Sequence, residues 1–224
     1  MTEPVREPAR SVAFGLERTP VRLVAFSDAV FAISITLLVL EIHSPTDTRH
    51  LAQGLAALWP SYLAYALTFL LIGQVWANHH VMFDHLRAVD RVVLLLNTLL
   101  LMTIAFLPFA ASVLAAAFRD GHGQRAAVVF YGIALGVAAS LFNGIWAYAR
   151  RDRRLLGTVD PAGARAISRR FRIAPFWIAA GVVLGALVPV LGVAVITALI
   201  PFYWLPIAGE IARPKRRRGA RGRE

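Results

Sequence analysis

The chain has 224 residues, 58% of them hydrophobic, with a mean hydropathy of +0.60; this excludes an ordinary soluble domain and predicts an all-α protein that crosses a membrane repeatedly. No cysteine is present, so disulfide frameworks and thiolate metal sites are excluded. The formal net charge of +11 does not argue for nucleic acid, because the arginines lie between the apolar runs with no aromatic residues interleaved.

Residues 1–19 carry Pro4, Pro8 and mixed charges and read as a cytoplasmic arm without a cleavable signal, with Val12 to Leu16 as a short interfacial stretch. The first span runs from Arg22 to Ile42, before Pro45, and as a helix it is long enough to cross a hydrocarbon core about 30 Å thick. At about 100° per residue, Phe26, Ala29, Ile33, Thr36, Leu37 and Leu40 share one face. Ser27, Ser34 and Glu41 recur on the other side, with Asp28 beside them. An acid within a spanning helix costs about 3 kcal/mol unless it faces protein or water, so Asp28 marks a functional site.

A second span is predicted from Leu55 to Ala77, with Pro60 near its first turn. It closes in a polar cluster containing Trp76, Asn78, His79, His80, Asp84 and His85. The third span, Val92 to Phe118, contains Asn97 and a Pro108 expected to kink it, and Gly121 and Gly123 supply the turn that follows. In the fourth, Ala126 to Ala149, a stripe of Gly132, Gly136, Ser140 and Gly144 predicts close approach of another helix, with Gly181 and Gly185 of the fifth span as partner stripe. Arg150 to Arg172 forms a basic loop. Between Ile173 and Ile211 the only charge is Glu210; as one helix this run would be about 58 Å long, so it must fold back, with the turn expected at Pro189 to Gly192 and bends at Pro201 and Pro206.

These elements make six spans in one channel-sized unit, 20–211, followed by a basic tail over 212–224. With both termini cytoplasmic, 21 of the 24 Lys and Arg fall inside, as the positive-inside rule requires. The tail and basic loops are expected to attract anionic lipid head groups. The Arg- and Ala-rich, Lys-poor usage is that of a GC-rich bacterium.

Asp28 lies six residues beyond Arg22, and Asn97 six beyond Arg91, so both sit about 9 Å inside the membrane at the level of His79 and His80. A carboxylate, an amide and imidazoles at one depth predict a hydrogen-bonded network bracing three helices. A proton relay through Asp28, as in a proton-coupled secondary transporter, is the alternative. His80 and Asp84 have ligand spacing but lack a third donor, so no metal is expected. No nucleophile elbow, phosphate loop or inward carboxylate pair points to an enzyme or a cofactor.

Arg22-x-x-x-Phe26-Ser27-Asp28, Trp76-x-x-His79-His80-x-x-Phe83, and Asn97 followed by Phe106-x-Pro108-Phe109 resemble the signature of the transmembrane protein 175 family, lysosomal potassium channels and their prokaryotic relatives. The resemblance implies a potassium-permeable channel in the cell membrane, assembled in prokaryotic members as a homotetramer of six-helix subunits whose first helices line the pore. No Thr-Val-Gly-Tyr-Gly filter is present. In the family, large apolar side chains form the constriction and a nearby hydroxyl contributes to selectivity. Carried over, these roles fall on Ile33, Leu37 and Leu40, with Thr36 as the hydroxyl. Arg22, Phe26, Ser27 and Asp28 would pack against His79, His80 and Asn97 and brace the pore helix. Physics alone nominates the polar face for an ion path; the resemblance places the apolar face on the axis.

Overall fold

The computed structural model describes residues 19–152, 154–157 and 161–204. The expected arm and interfacial stretch, apart from Thr19, lie outside the described residues, as do Pro206 and the basic tail. The described elements are helices: α1 (Val21–Leu37) continuing into a 3₁₀ turn (Leu38–Glu41), α2 (Leu51–Ala57), α3 (Trp59–Asp84), α4 (Arg91–Asp120), α5 (Gln124–Arg151), α6 (Pro161–Leu187), α7 (Pro189–Thr197) and α8 (Leu199–Trp204). Five helical stretches are long and apolar enough to cross a membrane: Val21–Glu41, Trp59–Asp84, Arg91–Asp120, Gln124–Arg151 and Ile167–Leu187. The sixth expected span is represented by the shorter apolar pair Pro189–Tyr203, about 22 Å of helix at 1.5 Å per residue.

Several boundaries depart from the sequence reading. The second span begins at Trp59 rather than Leu55, with Leu51–Ala57 set off as a separate helix; Pro60 has no N–H to donate and belongs in a first turn. That helix then runs on to Asp84, past the expected end at Ala77, and carries the polar cluster with it apart from His85, its C-cap. The basic segment before Arg172 is also largely helix, because α6 starts at Pro161. The hairpin after α6 turns at Val188, whose backbone is extended, while Pro189 opens α7 and Gly192 lies within it. The last helix breaks at Ala198, which puts Pro201 in the first turn of α8, where its missing N–H is tolerated.

Other local signals fix the helix ends, and of these the glycine turn was expected. Asp90 caps α4, its Oδ1 accepting the Val93 N–H at 2.9 Å. Gly121 and Gly123 turn the chain between α4 and α5 with φ of 74° and 71°, a left-handed backbone that glycine adopts without steric cost.

In the packed bundle α4 lies against α1, α3 and α5; α5 carries α6, and α6 carries α7. Leu100, Ile104 and Leu107 of α4 are fully buried, with Val128 and Ile145 of α5. The Thr68 and Tyr131 hydroxyls, both buried, meet at 2.9 Å and tie α3 to α5. At the arginine-rich end the α3–α4 and α5–α6 connections pair: Leu86 bridges Leu156, Gly157 N–H donates to the His85 carbonyl at 2.9 Å, and Arg87 Nε donates to the Arg154 carbonyl at 2.7 Å.

The α5 stripe meets the expected helix, α6, but only over part of its length. A Cβ on Gly132 would lie 2.4 Å from Val182 of α6, but one on Gly144 would meet nothing within 4 Å. On α6, Gly181 faces α7, while a Cβ on Gly185 would lie 2.4 Å from Val128 of α5 and 3.4 Å from the Gly192 Cα of α7; one on Gly192 would lie 2.3 Å from the Gly185 Cα. The reason is topological, since the tight turn at Val188 forces α7 back onto α6. Pro175, inside α6, cannot donate to the Phe171 carbonyl four residues earlier. The Asn143 Nδ2 of α5 donates to that carbonyl at 2.9 Å.

Candidate ion-conducting site

Helix α1 divides into two faces. Ser27, Phe31, Ser34 and Leu38 are buried, a spacing of four, three and four residues that marks one side of a helix. Phe26, Ala29, Ile33, Thr36, Leu37 and Leu40 are all exposed on the other side, Ile33 at 58% and Leu40 at 69%. The Thr36 hydroxyl donates to the Ile33 carbonyl at 2.9 Å. Its proton is therefore used within the helix, and the oxygen lone pairs remain as the polar feature of an otherwise apolar face.

The buried side is held by a chain of hydrogen bonds. His79 of α3 and Asn97 of α4 are fully buried, and His79 Nε2 lies 2.9 Å from Asn97 Oδ1. Asn97 Nδ2 donates to Ser27 Oγ at 2.9 Å, and Ser27 Oγ donates to the Leu23 carbonyl at 2.8 Å. Because the amide nitrogen serves Ser27, its oxygen must accept, which assigns the proton of neutral His79 to Nε2. The imidazole is further fixed by Phe83, stacked at 4.3 Å, and by Phe31, edge-on at 5.3 Å.

Asp28 stands apart from this chain. Its Oδ1 accepts the Trp76 indole N–H at 2.9 Å and lies 3.9 Å from His80 Nδ1, with the Asp28 side chain 38% exposed. The single polar cluster anticipated from depth is thus two: a buried Ser27–Asn97–His79 chain and a half-exposed Asp28–Trp76–His80 group. Arg22 is exposed at the start of α1. Phe31 is not singled out by the sequence, and Trp76 and Phe83 are read there only as part of the quoted motif, without a role at the site. The bond from Trp76 to Asp28 could have been anticipated from its position one turn before His79 and His80 on a helix.

Among the described residues no group of three or more His, Cys, Asp or Glu could hold a metal ion. His80 and Asp84 share a turn, but the acid of this region that approaches His80 is Asp28.

The fold and site define a multi-span helical membrane protein whose first helix is braced by polar bonds on one side and presents an exposed apolar strip on the other. The profile of the family described as endosomal/lysosomal potassium channel TMEM175 matches residues 22–108. A potassium channel of Streptomyces collinus is 39% identical over 155 residues, covering 68% of this chain and 75% of that one. A potassium channel of Chamaesiphon minutus is 41% identical over 159 residues, covering 69% and 78%. The chain therefore belongs to the TMEM175 family. The crystal structure of a lysosomal potassium-selective channel TMEM175 homolog from Chamaesiphon minutus superimposes with a TM-score of 0.74 at 36% identity, covering 82% of this chain and 95% of that chain.

Proposed function

We propose that the protein is a potassium-permeable channel that conducts ions passively, without cofactor or metal, through an axis lined by α1. The observation that carries this reading is the division of α1: its back is anchored through Ser27, and its exposed strip holds Ile33, Thr36, Leu37 and Leu40. In a ring of copies that strip, held at a fixed rotation by those bonds, becomes a pore wall.

The assembly is a homotetramer in the cell membrane of a bacterium, each subunit having six spans over 20–211. Both termini are cytoplasmic, and the arginine-rich end faces the cytoplasm and anionic head groups. From Ile33 to Leu40 the wall is about 10 Å long. Rings of Ile33, Leu37 and Leu40 form the constriction; they offer ions no ligands and gate by dewetting. The oxygen of Thr36 is the contact that favours potassium, which predicts only a modest preference over sodium. Ser27, bonded to Asn97 and through it to His79, and Asp28, beside His80, set the orientation of α1, while Arg22 and Phe26 of the same motif are exposed.

The test is flux from liposomes holding purified protein, with potassium or sodium as the permeant ion. Potassium flux that grows without saturation supports the channel; absence of flux from folded protein refutes it. A second reading, proton-coupled transport, draws on the 3.9 Å approach of Asp28 to His80. It requires saturable flux that is abolished by Asp28→Asn.

A further inference from the structure

The surface formed by α4, α5 and α6 carries a groove of about 740 Å³, lined among others by Leu96, Val137, Gly144, Pro175, Ala179 and Val183. It extends along α5 from Gly144 to Gly132, about 18 Å, close to half of a hydrocarbon core about 30 Å thick. The groove thus has the length of one leaflet. Helix α1 packs on α3 and α4, while α5 and α6 pack on α4 and on each other. With α1 turned to the axis the groove belongs to the outer layer of the assembly, where its occupant is lipid.

Which lipid is decided by charge. Arg172 lies one turn before Pro175 on α6, and Arg165 seven residues before Arg172. Arg151 lies seven residues after Gly144 on α5. Helical periodicity therefore sets all three arginines on the lining faces, beyond the same end of the groove, and all three are exposed. Arg172 Nε leans on the Ser168 carbonyl at 3.4 Å, and its guanidinium keeps further donors for a ligand. Two described acids nearby are engaged: Asp152 accepts the Arg154 N–H at 2.9 Å, and Asp90 accepts from Val93 N–H and the Tyr148 hydroxyl.

We infer that this groove is a site for one anionic phospholipid per subunit, taken from the leaflet on the arginine-rich side. Its phosphate sits at the Arg172 end and an acyl chain lies along the groove. The placement of α5 and α6 away from the axis rests on the channel reading; the lipid readout does not involve conduction.

The test is retention of phosphatidylglycerol against phosphatidylcholine by the purified full chain after delipidation, read by native mass spectrometry. Phosphatidylglycerol is expected to be held in preference, to weaken about fivefold in Arg172→Gln, and to be displaced in Gly144→Leu, which fills open space. Arg119→Gln, at the opposite end of the bundle, leaves retention unchanged. Equal retention of the two lipids, or an unchanged Arg172→Gln in a protein that elutes as the parent does, overturns the proposal. So does an intermolecular disulfide through Ser140→Cys in this cysteine-free chain, which would identify a second copy as the occupant. A protein that holds phosphatidylglycerol selectively but passes no potassium supports the lipid site and counts against the channel reading; the converse result separates them the other way.

Discussion

Asn97 on α4 reaches Ser27 on α1 with its amide nitrogen at 2.9 Å, across 70 positions of sequence, and its oxygen lies 2.9 Å from His79 Nε2 on α3. One side chain thus joins three helices at a fully buried point. Within a bilayer such bonds fix rotation as well as proximity, since each donor must meet its acceptor at a set angle.

Removing that amide is the sharpest test of the brace. Asn97→Leu leaves the buried His79 Nε2–H unpaired and takes the interhelical donor from Ser27, which keeps its bond to the Leu23 carbonyl, and should cost about 2 kcal/mol, whereas Ser27→Ala, which removes one interhelical bond, should cost about 0.6 kcal/mol. Unfolding in mixed detergent micelles measures both. An Asn97→Leu protein as stable as its parent would show that the chain of bonds contributes nothing net.

Ile33 is expected to control how readily the axis wets. Ile33→Asn introduces hydrogen-bonding groups into the apolar strip and should raise single-channel conductance in planar bilayers. Currents identical to those of the parent would remove Ile33 from the pore wall.

Thr36 is the proposed contact for potassium. Thr36→Val preserves shape and deletes the oxygen, so the reversal potential under potassium and sodium on opposite sides should move toward zero, while Thr36→Ser retains most of the shift. If Val and Ser behave alike, selectivity originates elsewhere.

Two glycines should respond oppositely to alanine. At Gly192 the added carbon would lie 2.3 Å from the Gly185 Cα and 2.8 Å from the Gly181 carbonyl oxygen, both backbone atoms; separating α6 from α7 should cost about 1–3 kcal/mol. At Gly144 nothing lies within 4 Å, and Gly144→Ala should be neutral. Thermal unfolding of the two variants side by side decides between clash and tolerance.

The Asn143 bond to the Phe171 carbonyl compensates for the donor that Pro175 lacks. Asn143→Leu should destabilise by about 1 kcal/mol, and adding Pro175→Ala should recover part of that loss by restoring the N–H four residues along the helix. No recovery in the double variant would mean that the two positions act independently.

Much of this architecture is legible without coordinates, because a membrane leaves a chain few choices. Length and hydropathy require helices of about twenty residues, every backbone group must bond within its own segment, and the arginines mark one set of ends. The greasy strip of α1 and the common depth of Asp28, Asn97 and the histidines follow from the same arithmetic. What periodicity cannot supply is the rotation of one helix against another. Ser27 and Asp28 are neighbours about 100° apart, and only the packing of α1 on α3 and α4 decided that the serine meets Asn97 while the acid turns to Trp76. Likewise Gly185 lies between Val128 of α5 and Gly192 of α7 rather than on Gly132, because the close turn at Val188 brings α7 back onto α6. The sequence specified which segments span and which faces are polar; tertiary structure chose the partners, since a hydrogen bond or a backbone contact depends on geometry between segments that no local pattern contains.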